Sequence, residues 1–405
     1  MKVLQINAVY GIGSTGRTVA EVAEAVKRTG GESFVAYQHA VETVENGFAI
    51  GNSFSRNSEA LRSRVFGMQE YGNKSATKRL LRWIEQIQPS VVHLQNLHSH
   101  YVHLPLLLRY LAKNDIPTVI TLHDCWFFTG KCTHYTTAKC NKWQTGCGNC
   151  PQLKKDIPSW FFDRTAKMWS DKKRLFAAIP RLAVIGVSDW VTGEAKKSFL
   201  REAKLVESIY NWIDLSVFYP RKDDVRAQYG VCKDKFTVLC IGAGWQEGTT
   251  KFNDLLSLSQ KLPADMQIVL AGKVDEGQHL PNNVIPIGYI NGVDELAKVY
   301  SMADAYVHVS HEDTFGKVIA EAMACGTPAV VYNSTACPEI VGKGCGYVVD
   351  TGDIDGICRA LAAIRQNGKE SYVSACVAWV TDRFEKEKLL AKTFALYQNL
   401  IRGEA

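Results

Sequence analysis

Short runs of consecutive apolar residues alternate along the whole chain with longer segments of helical periodicity. In the first half these runs predict strands at Val3–Val9, Ser33–Tyr37, Ser90–Leu94, Thr118–Leu122 and Ala183–Val187. Continuous apolar strands separated by helices are typical of a parallel sheet that is covered on both faces. The pattern therefore predicts an α/β fold with a doubly wound sheet.

The second half repeats this organisation and predicts a second domain. Its strands are expected at Lys204–Ile209, Phe236–Ile241, Gln267–Ala271, Val284–Pro286, Ala305–Val309, Ala329–Tyr332 and Gly346–Val349. We expect a first domain over residues 1–205, a second over 206–384, and a last helix, 385–405, that packs back on the first. Ligands of such sheets bind beyond the carboxyl ends of the strands, so two facing domains predict a cleft between them.

Composition is typical of a globular protein. The 405 residues are 46% hydrophobic and 22% charged, which excludes a disordered or fibrous chain. No run reaches the roughly 18 apolar residues of a membrane span, and the N-terminus lacks the features of a signal peptide, so we expect a cytoplasmic protein. Residues 1–205 hold 28 Lys and Arg against 16 Asp and Glu, a net charge of +12, although the whole chain carries only +6. The basic first half predicts anionic partners.

A glycine-rich turn follows the first predicted strand. Gly11, Gly13 and Gly16 match the G-x-G-x-x-G fingerprint of dinucleotide-binding sheets. That fingerprint also needs an acidic residue after the second strand to hold the ribose hydroxyls, and Tyr37–His39 stands there instead. An NAD(P)-dependent oxidoreductase that uses this turn is the alternative function. A turn whose N–H groups approach some other anion, and a tight turn without any ligand, are the remaining interpretations.

The segment from His311 to Pro328 contains the most informative motif. Asp313 stands before a helix predicted over Lys317–Cys325, and Glu321 lies inside that helix among small residues. Backbone N–H groups at a helix start can bind phosphate or hydroxyl oxygens. A carboxylate can accept charge-assisted hydrogen bonds from the two vicinal hydroxyls of a ribose. The pattern indicates binding of a phosphorylated ribose.

This segment resembles the Glu-x7-Glu motif of family-4 glycosyltransferases and the Glu-Ala-Met-Ala-Cys-Gly-Thr-Pro sequence that follows it. Further segments, in order and in both halves, resemble a bacterial branch that assembles exopolysaccharide, capsule or lipopolysaccharide: Gly13–Arg17, Thr121–Asp124, Trp143–Pro151, Val187–Asp189 and Asn211–Asp214. The resemblance implies a GT-B fold with two Rossmann-like domains and transfer of a hexose with retention. It also implies a nucleotide-sugar donor, with UDP as the expected nucleotide, and a lipid-linked or saccharide acceptor.

The resemblance implies roles for residues of the second domain. Glu321 would bind the donor ribose, and Lys251 would bind the diphosphate and act in catalysis. Asp313 would contact the transferred sugar as a catalytic residue, although the family's usual glutamate is one methylene longer. The donor would also meet the backbone of four consecutive residues, Thr314, Phe315, Gly316 and Lys317.

In the first domain, the resemblance implies that His123 faces the reacting sugar as a catalytic residue. The turn at Gly13 and Gly16 would lie near the phosphates or the acceptor. Two further positions depart from the family pattern: Gln246 replaces an arginine, and Trp212 replaces a glycine. The departures at Asp313 and Gln246 leave open a third function, a sugar-nucleotide-binding protein without transferase activity.

The implied transfer needs no catalytic metal, because Lys251 and a helix N-terminus can stabilise the departing diphosphate. A D-x-D sequence at Asp353 and Asp355 precedes a predicted helix and is interpreted as a helix cap. Four thiols, in contrast, are spaced as ligands of a structural zinc ion are: Cys132, Cys140, Cys147 and Cys150. Disulfides and free thiols are the alternatives for this cluster.

The segment Trp160–Phe176 mixes bulky apolar residues with cations. At helical spacing Phe162 and Trp169 share a face, with Lys172–Arg174 beyond it, which predicts peripheral contact with the anionic inner face of the plasma membrane. An ordinary helix that buries its aromatic residues is the alternative. No nucleic-acid-binding motif accompanies the charge, so we do not expect nucleic acid as a partner.

Overall fold

The chain folds into two compact units, in a computed structural model that describes residues 1–404. The first unit contains Met1–Ile209 and the C-terminal residues from Leu390 onward, and the second contains Tyr210–Leu389. No helix within the described residues is both long enough and apolar enough to cross a membrane.

A parallel sheet of seven strands forms the centre of the first unit. Its strands are β1 (Lys2–Tyr10), β2 (Glu32–Ala40), β3 (Gly47–Ala49), β4 (Val91–Leu94), β5 (Thr118–Leu122), β6 (Leu182–Gly186) and β7 (Leu205–Ser208). Their order in the sheet is β3-β2-β1-β4-β5-β6-β7. Every residue of β4, β5 and β6 is buried, as their continuous apolar sequences predict. The strand that we expected to open the second half, Lys204–Ile209, instead pairs with β6 and completes this sheet.

Six helices accompany this sheet: α1 (Gly13–Arg28), α2 (Ser53–Phe66), α3 (Lys74–Ile87), α4 (Leu104–Lys113), α5 (Thr165–Ala177) and α6 (Asp189–Lys197). The sequence pattern did not predict α2. That helix begins at a capping box, in which the Asn52 side chain and Ser55 exchange hydrogen bonds with each other's backbone N–H groups. It ends at Gly67, whose φ of 69° is readily adopted by glycine.

The second unit has a parallel sheet of six strands. The strands are β8 (Phe236–Trp245), β9 (Met266–Val274), β10 (Val284–Gly288), β11 (Ala305–His308), β12 (Ala329–Tyr332) and β13 (Gly346–Val349), in the order β10-β9-β8-β11-β12-β13. The helices are α7 (Thr250–Lys261), α8 (Val293–Met302), α9 (Lys317–Ala324), α10 (Cys337–Ile340), α11 (Ile354–Asn367), α12 (Glu370–Phe384) and α13 (Lys386–Arg402). Most of α13 belongs to the first unit.

Each sheet has a point at which the direction of strand addition reverses. In the first unit this switch point lies between β1 and β4, and in the second unit it lies between β8 and β11. Open parallel sheets bind ligands outside the carboxyl ends of the strands at such points. The glycine-rich turn follows β1, Lys251 follows β8, and the loop with Asp313 follows β11. The glycine-rich turn, Lys251 and the loop with Asp313 therefore lie at the switch points, whereas His123 follows β5, one strand away from the switch point of the first unit.

Candidate active site

Lys251 lies in the first turn of α7, just beyond the carboxyl end of β8. Its ammonium nitrogen is 5.1 Å from the centre of the Trp245 ring. Gly242 packs close to both side chains, because a Cβ atom there would lie 3.2 Å from a carbon of the Trp245 ring and 3.4 Å from the Lys251 nitrogen. Burial lowers the pKa of Lys251, and within residues 1–404 no neighbouring charge opposes that shift. An anion that binds here would meet a cation that no carboxylate neutralises.

Asp313 orders the loop between β11 and α9. Its Oδ1 accepts hydrogen bonds from the backbone N–H groups of Phe315, at 3.1 Å, and Gly316, at 2.7 Å. We expected these two N–H groups to meet the donor, but here Asp313 occupies them, because a short aspartate side chain can fold back on the following backbone. Gly316 has a φ of 80° and ends the turn at the start of α9.

The other residues of the predicted donor-binding segment differ in their surroundings. The side chain of Phe315 is buried in the core of the second unit, with its ring centre 5.4 Å from that of Phe384. Thr314 is buried as well, whereas Lys317 is half-buried at the first position of α9. Any donor contact of Phe315 would therefore use its backbone and not its ring.

A hydrogen-bonded cluster joins the loop after β11 to helix α7. His311 Nε2 lies 2.7 Å from Asp254 Oδ2, and the Tyr332 hydroxyl donates to the same oxygen at 2.8 Å. Asp254 lies about one helical turn beyond Lys251. The cluster therefore ties the loop that contains Asp313 to the helix that carries Lys251. Sequence reasoning missed these three residues, since His311 and Asp254 are 57 positions apart and no spacing rule connects them.

Glu321 lies on the buried face of α9 with an exposed fraction of only 1%. Its Oε2 accepts a hydrogen bond of 3.0 Å from the hydroxyl of Tyr300. Burial, together with the charge of Glu321, raises the pKa of Tyr300 well above its usual value, so this hydroxyl remains a donor. The structure therefore fixes the orientation of the carboxylate. Its contact with a ribose stays a prediction.

In the first unit, a chain of amide groups fixes His123 after β5. His123 Nε2 lies 2.7 Å from Gln95 Oε1, and Gln95 Nε2 donates to Gln5 Oε1 at 3.1 Å. Because an amide oxygen can only accept, Nε2 of His123 must hold a proton. Gln5 and Gln95 are positioning residues that the sequence did not reveal.

His93 anchors the C-terminal helix to the same part of the sheet. Its Nδ1 is 2.6 Å from the hydroxyl of Tyr397 in α13, and its Nε2 is 2.7 Å from Thr121 Oγ1. Burial lowers the pKa of His93 to about 3, so the ring is neutral. The last helix therefore contacts the first unit through a buried hydrogen bond.

A second polar cluster follows β4 and β5. His98 Nε2 and Asp124 Oδ2 are 2.5 Å apart. Burial opposes a charged His98, but the Asp124 carboxylate more than compensates and raises its pKa. Nearby, Glu70 is fully buried and accepts a 2.6 Å hydrogen bond from the backbone N–H of His100. Burial raises the pKa of Glu70 to about 8.

The glycine-rich turn is a close contact between β1 and α1. A Cβ atom at Gly16 would lie 3.2 Å from both the Gly11 nitrogen and a methyl carbon of Val9, and Gly13 starts the helix with a φ of 62°. No side chain caps the start of α1, and its first turn holds no acid. The carboxyl end of β2 is Tyr37–Ala40, without a carboxylate. The turn thus lacks the acidic partner that a nicotinamide dinucleotide needs.

The four predicted zinc ligands line one cavity of about 20 Å³ in the segment between β5 and α5. Gly130 N–H donates to the sulfur of Cys147 at 3.2 Å. All four cysteines, including Cys140, are free thiols. Within residues 1–404, however, no three His, Cys, Asp or Glu side chains are arranged to hold a metal ion. The zinc site therefore stays a prediction, without a complete ligand set in this structure.

Helix α5 does not present the predicted membrane face. Lys172 is buried, and its ammonium group donates to the carbonyl oxygens of Trp126, at 2.6 Å, and Thr129, at 3.1 Å. The indole of Trp169 is also buried and donates to the Trp143 carbonyl. The interpretation that groups Lys172 with exposed cations is wrong, because Lys172 is buried inside the first unit. The alternative, a helix that buries its aromatic residue Trp169, describes α5.

The D-x-D sequence is a helix cap, as predicted. Asp353 Oδ1 accepts from the backbone N–H of Gly356 at 2.8 Å, at the start of α11. Asp355 instead forms an ion pair of 2.6 Å with Lys261. Both carboxylates are engaged in contacts within the second unit.

Comparison with known proteins identifies the family. The family model described as Glycosyltransferase Family 4 matches residues 15–217, and the one described as Glycosyl transferases group 1 matches residues 222–374. The chain belongs to glycosyltransferase family 4. A relative from Escherichia coli K12, described as the colanic acid biosynthesis glycosyl transferase WcaC, is 26% identical and covers 72% of this chain and 71% of its own. The N-acetyl-alpha-D-glucosaminyl L-malate synthase of Bacillus anthracis is 23% identical and covers 50% of this chain and 55% of its own.

Solved structures with a similar fold match this family-4 chain over nearly its whole length. Sucrose-phosphate synthase from Thermosynechococcus elongatus has a TM-score of 0.72 at 16% identity and covers 99% of both chains. Anabaena HepE, solved with UDP and glucose, has a TM-score of 0.67 at 16% identity and covers 98% of this chain and 100% of its own. The predicted GT-B fold with two Rossmann-like domains is confirmed. The protein is a glycosyltransferase, and the oxidoreductase alternative finds no support.

Proposed function

We propose that this glycosyltransferase transfers a hexose, with retention, from a UDP-sugar to a saccharide or lipid-linked acceptor in polysaccharide biosynthesis. The observation that carries the proposal is the switch point between β8 and β11, where a hydrogen bond ties the loop before α9 to the helix that carries Lys251. A cation without a carboxylate partner favours a diphosphate. Two similar proteins add support: Anabaena HepE is solved with UDP-glucose, and WcaC is described as a colanic acid biosynthesis enzyme.

In the proposed reaction, the bond between the donor C1 and the diphosphate oxygen breaks, and the acceptor hydroxyl oxygen bonds to C1. Negative charge then collects on the leaving UDP, which takes up the hydroxyl proton directly or through solvent. Lys251 would stabilise this charge, and most strongly in the transition state. His123 would shape the pocket for the reacting sugar, since Gln95 fixes its ring. Asp313 would hold the loop that approaches that sugar.

The proposed reaction uses no catalytic metal. The residues that could suggest a metal-binding D-x-D site, Asp353 and Asp355, are engaged in a helix cap and an ion pair. We expect turnover to persist after treatment with EDTA. Loss of activity that added magnesium restores would contradict this part of the proposal. The zinc prediction for the cysteine cluster is separate, and it is tested by metal analysis of the purified protein.

The experiment that tests the proposed function is a donor screen. The protein is incubated with UDP-, GDP- and ADP-sugars, with and without a lipid-linked saccharide, and the released nucleotide is measured. Release of UDP that depends on the acceptor, with a product of unchanged anomeric configuration by NMR, is the expected result. Binding of UDP without turnover of any donor would favour the sugar-nucleotide-binding protein instead.

A further inference from the structure

Helix α2 has its apolar and polar sides reversed. Its two buried residues are Glu59 and Ser63, whereas Phe54 is 82% exposed, Leu61 is 53% exposed and Phe66 is 54% exposed. Phe54 and Leu61 are seven residues apart and therefore lie on the same side of the helix. Helices on the surface of soluble domains normally turn their apolar side to the core. This arrangement points to a partner that covers α2 from outside.

Three consecutive aromatic residues extend the apolar surface beyond the end of α2. Trp160, Phe161 and Phe162 are 47%, 70% and 45% exposed. Trp160 N–H donates to the carbonyl of Arg64 at 2.6 Å, and a Cβ atom at Gly67 would lie 2.2 Å from the Phe162 carbonyl oxygen. The aromatic loop is therefore fixed against the C-terminal end of the helix. We call the combined surface the apolar platform; its members are Phe54, Leu61, Phe66, Trp160, Phe161 and Phe162.

The charges beside the apolar platform are overwhelmingly positive. The two acids between residues 53 and 82, Glu59 and Glu70, are both buried. Asp163, next to the aromatic loop, accepts hydrogen bonds from Cys150 and Thr165. Arg62 pairs with Glu59 at 3.0 Å, whereas Arg64 and Lys74 are exposed and the Arg164 guanidinium lies 5.5 Å from the centre of the Phe162 ring. Lys74 also lines the same surface depression as Phe54.

We propose that the apolar platform docks on the surface of an anionic phospholipid bilayer. Its aromatic and leucine side chains would enter the boundary between headgroups and acyl chains, and the flanking Arg and Lys would meet lipid phosphates. A second copy of this chain is a poor occupant, because two identical basic faces repel each other. The inference rests on the proposed function, since docking would bring the enzyme to a lipid-linked acceptor.

Vesicle sedimentation tests the proposal. The full chain is mixed with vesicles of phosphatidylcholine, alone or with phosphatidylglycerol. We expect binding to the mixed vesicles and little to phosphatidylcholine alone. Phe161→Ser should weaken binding by about tenfold, because it removes a large apolar side chain from the membrane contact. The pair Arg64→Gln/Lys74→Gln should weaken it by about 30-fold, because each surface cation contributes about 1 kcal/mol at an anionic membrane. Tyr289→Ser, at a residue that is 67% exposed in the second unit, and Lys222→Gln/Lys343→Gln are the matched controls and should bind as the wild type does.

Three results would overturn the docking proposal: no binding of the wild type to mixed vesicles, equal binding by platform and control variants, or a dimer that Phe161→Ser dissociates. Titration of each variant with UDP in the absence of vesicles separates this inference from the donor site. Unchanged UDP affinity together with lost vesicle binding supports docking. Failure to bind UDP in the wild type would count against the proposed function and not against the platform.

Discussion

His311 Nε2 lies 2.7 Å from Asp254 Oδ2, and this bond ties the loop before α9 to the helix that carries Lys251. The two segments follow neighbouring strands on opposite sides of the switch point. Tyr332 donates to the same carboxylate oxygen and fixes it further. Asp254 and His311 can affect donor binding without touching the donor, because together they position Lys251 and the loop before α9, which would touch it.

Asp254→Ala should therefore weaken UDP binding, by about fivefold to tenfold, through the loss of a partly buried hydrogen bond to each of two partners. Asp254→Asn retains an acceptor oxygen and should have a smaller effect. The measurement is calorimetric titration with UDP. Asp265→Ala is the matched control, since this exposed aspartate pairs with Arg365 elsewhere in the second unit. Equal UDP affinities for the two alanine variants would remove the positioning role.

Glu321→Gln should weaken UDP binding at least tenfold, because a ribose would lose charge-assisted hydrogen bonds of about 1.5–3 kcal/mol. Glutamine keeps the side-chain volume and an acceptor for Tyr300, so the fold should persist. Tyr300→Phe removes the other end of the same hydrogen bond and serves as the control. It should lower the free energy of unfolding but leave UDP affinity within about twofold. If Tyr300→Phe weakened UDP binding and Glu321→Gln did not, the role of Glu321 would be purely structural.

Lys172→Met should destabilise the first unit by about 2–4 kcal/mol. The substitution leaves the carbonyls of Trp126 and Thr129 without their donor and removes an ammonium group that lies 3.4 Å from the centre of the Trp126 ring. Lys173→Met, at the exposed neighbour, should change the free energy of unfolding by less than about 0.5 kcal/mol. Urea denaturation measures both. Similar stabilities of the two variants would contradict the buried role of Lys172.

Glu70 should make the stability of the first unit fall as pH rises. Its pKa is about 8 in the folded chain against an ordinary value of 4.5, so between these pH values the folded state keeps a proton that the unfolded state releases. The free energy of unfolding therefore decreases across that window. Glu70→Gln should flatten this part of the pH profile in urea denaturation. If the free energy of unfolding fell equally steeply with pH in the wild type and in Glu70→Gln, Glu70 would not be the cause of this pH dependence.

The sheet strands could be predicted because burial on both faces leaves a continuous apolar sequence, as in β4, β5 and β6. Residues next to strand ends could be placed for the same reason, and Lys251 and Asp313 both follow strands that the sequence predicts. The sequence could not assign the strand at Leu205–Ser208, because its sheet depends on pairing with β6.

Other features depend on contacts that no local pattern contains. Helix α2 escaped prediction because its apolar residues face outward and its glutamate faces inward. Lys172 resembles a surface lysine until Trp126 folds against it. The use of Asp313 as a cap for the N–H groups before α9 depends on its short side chain, which the motif alone does not reveal.

The central claim is that the site around Lys251 binds the diphosphate of a UDP-sugar. Titration of UDP into the wild type, Lys251→Ala and Lys261→Ala tests it most directly, since Lys261 lies on the same helix but pairs with Asp355. We predict that Lys251→Ala weakens UDP binding by about 10- to 100-fold and that Lys261→Ala does not weaken it. The UDP affinity of the wild type should also fall as pH rises through the lowered pKa of Lys251, because the ammonium group then loses its charge. Equal affinity of all three proteins for UDP would contradict the account.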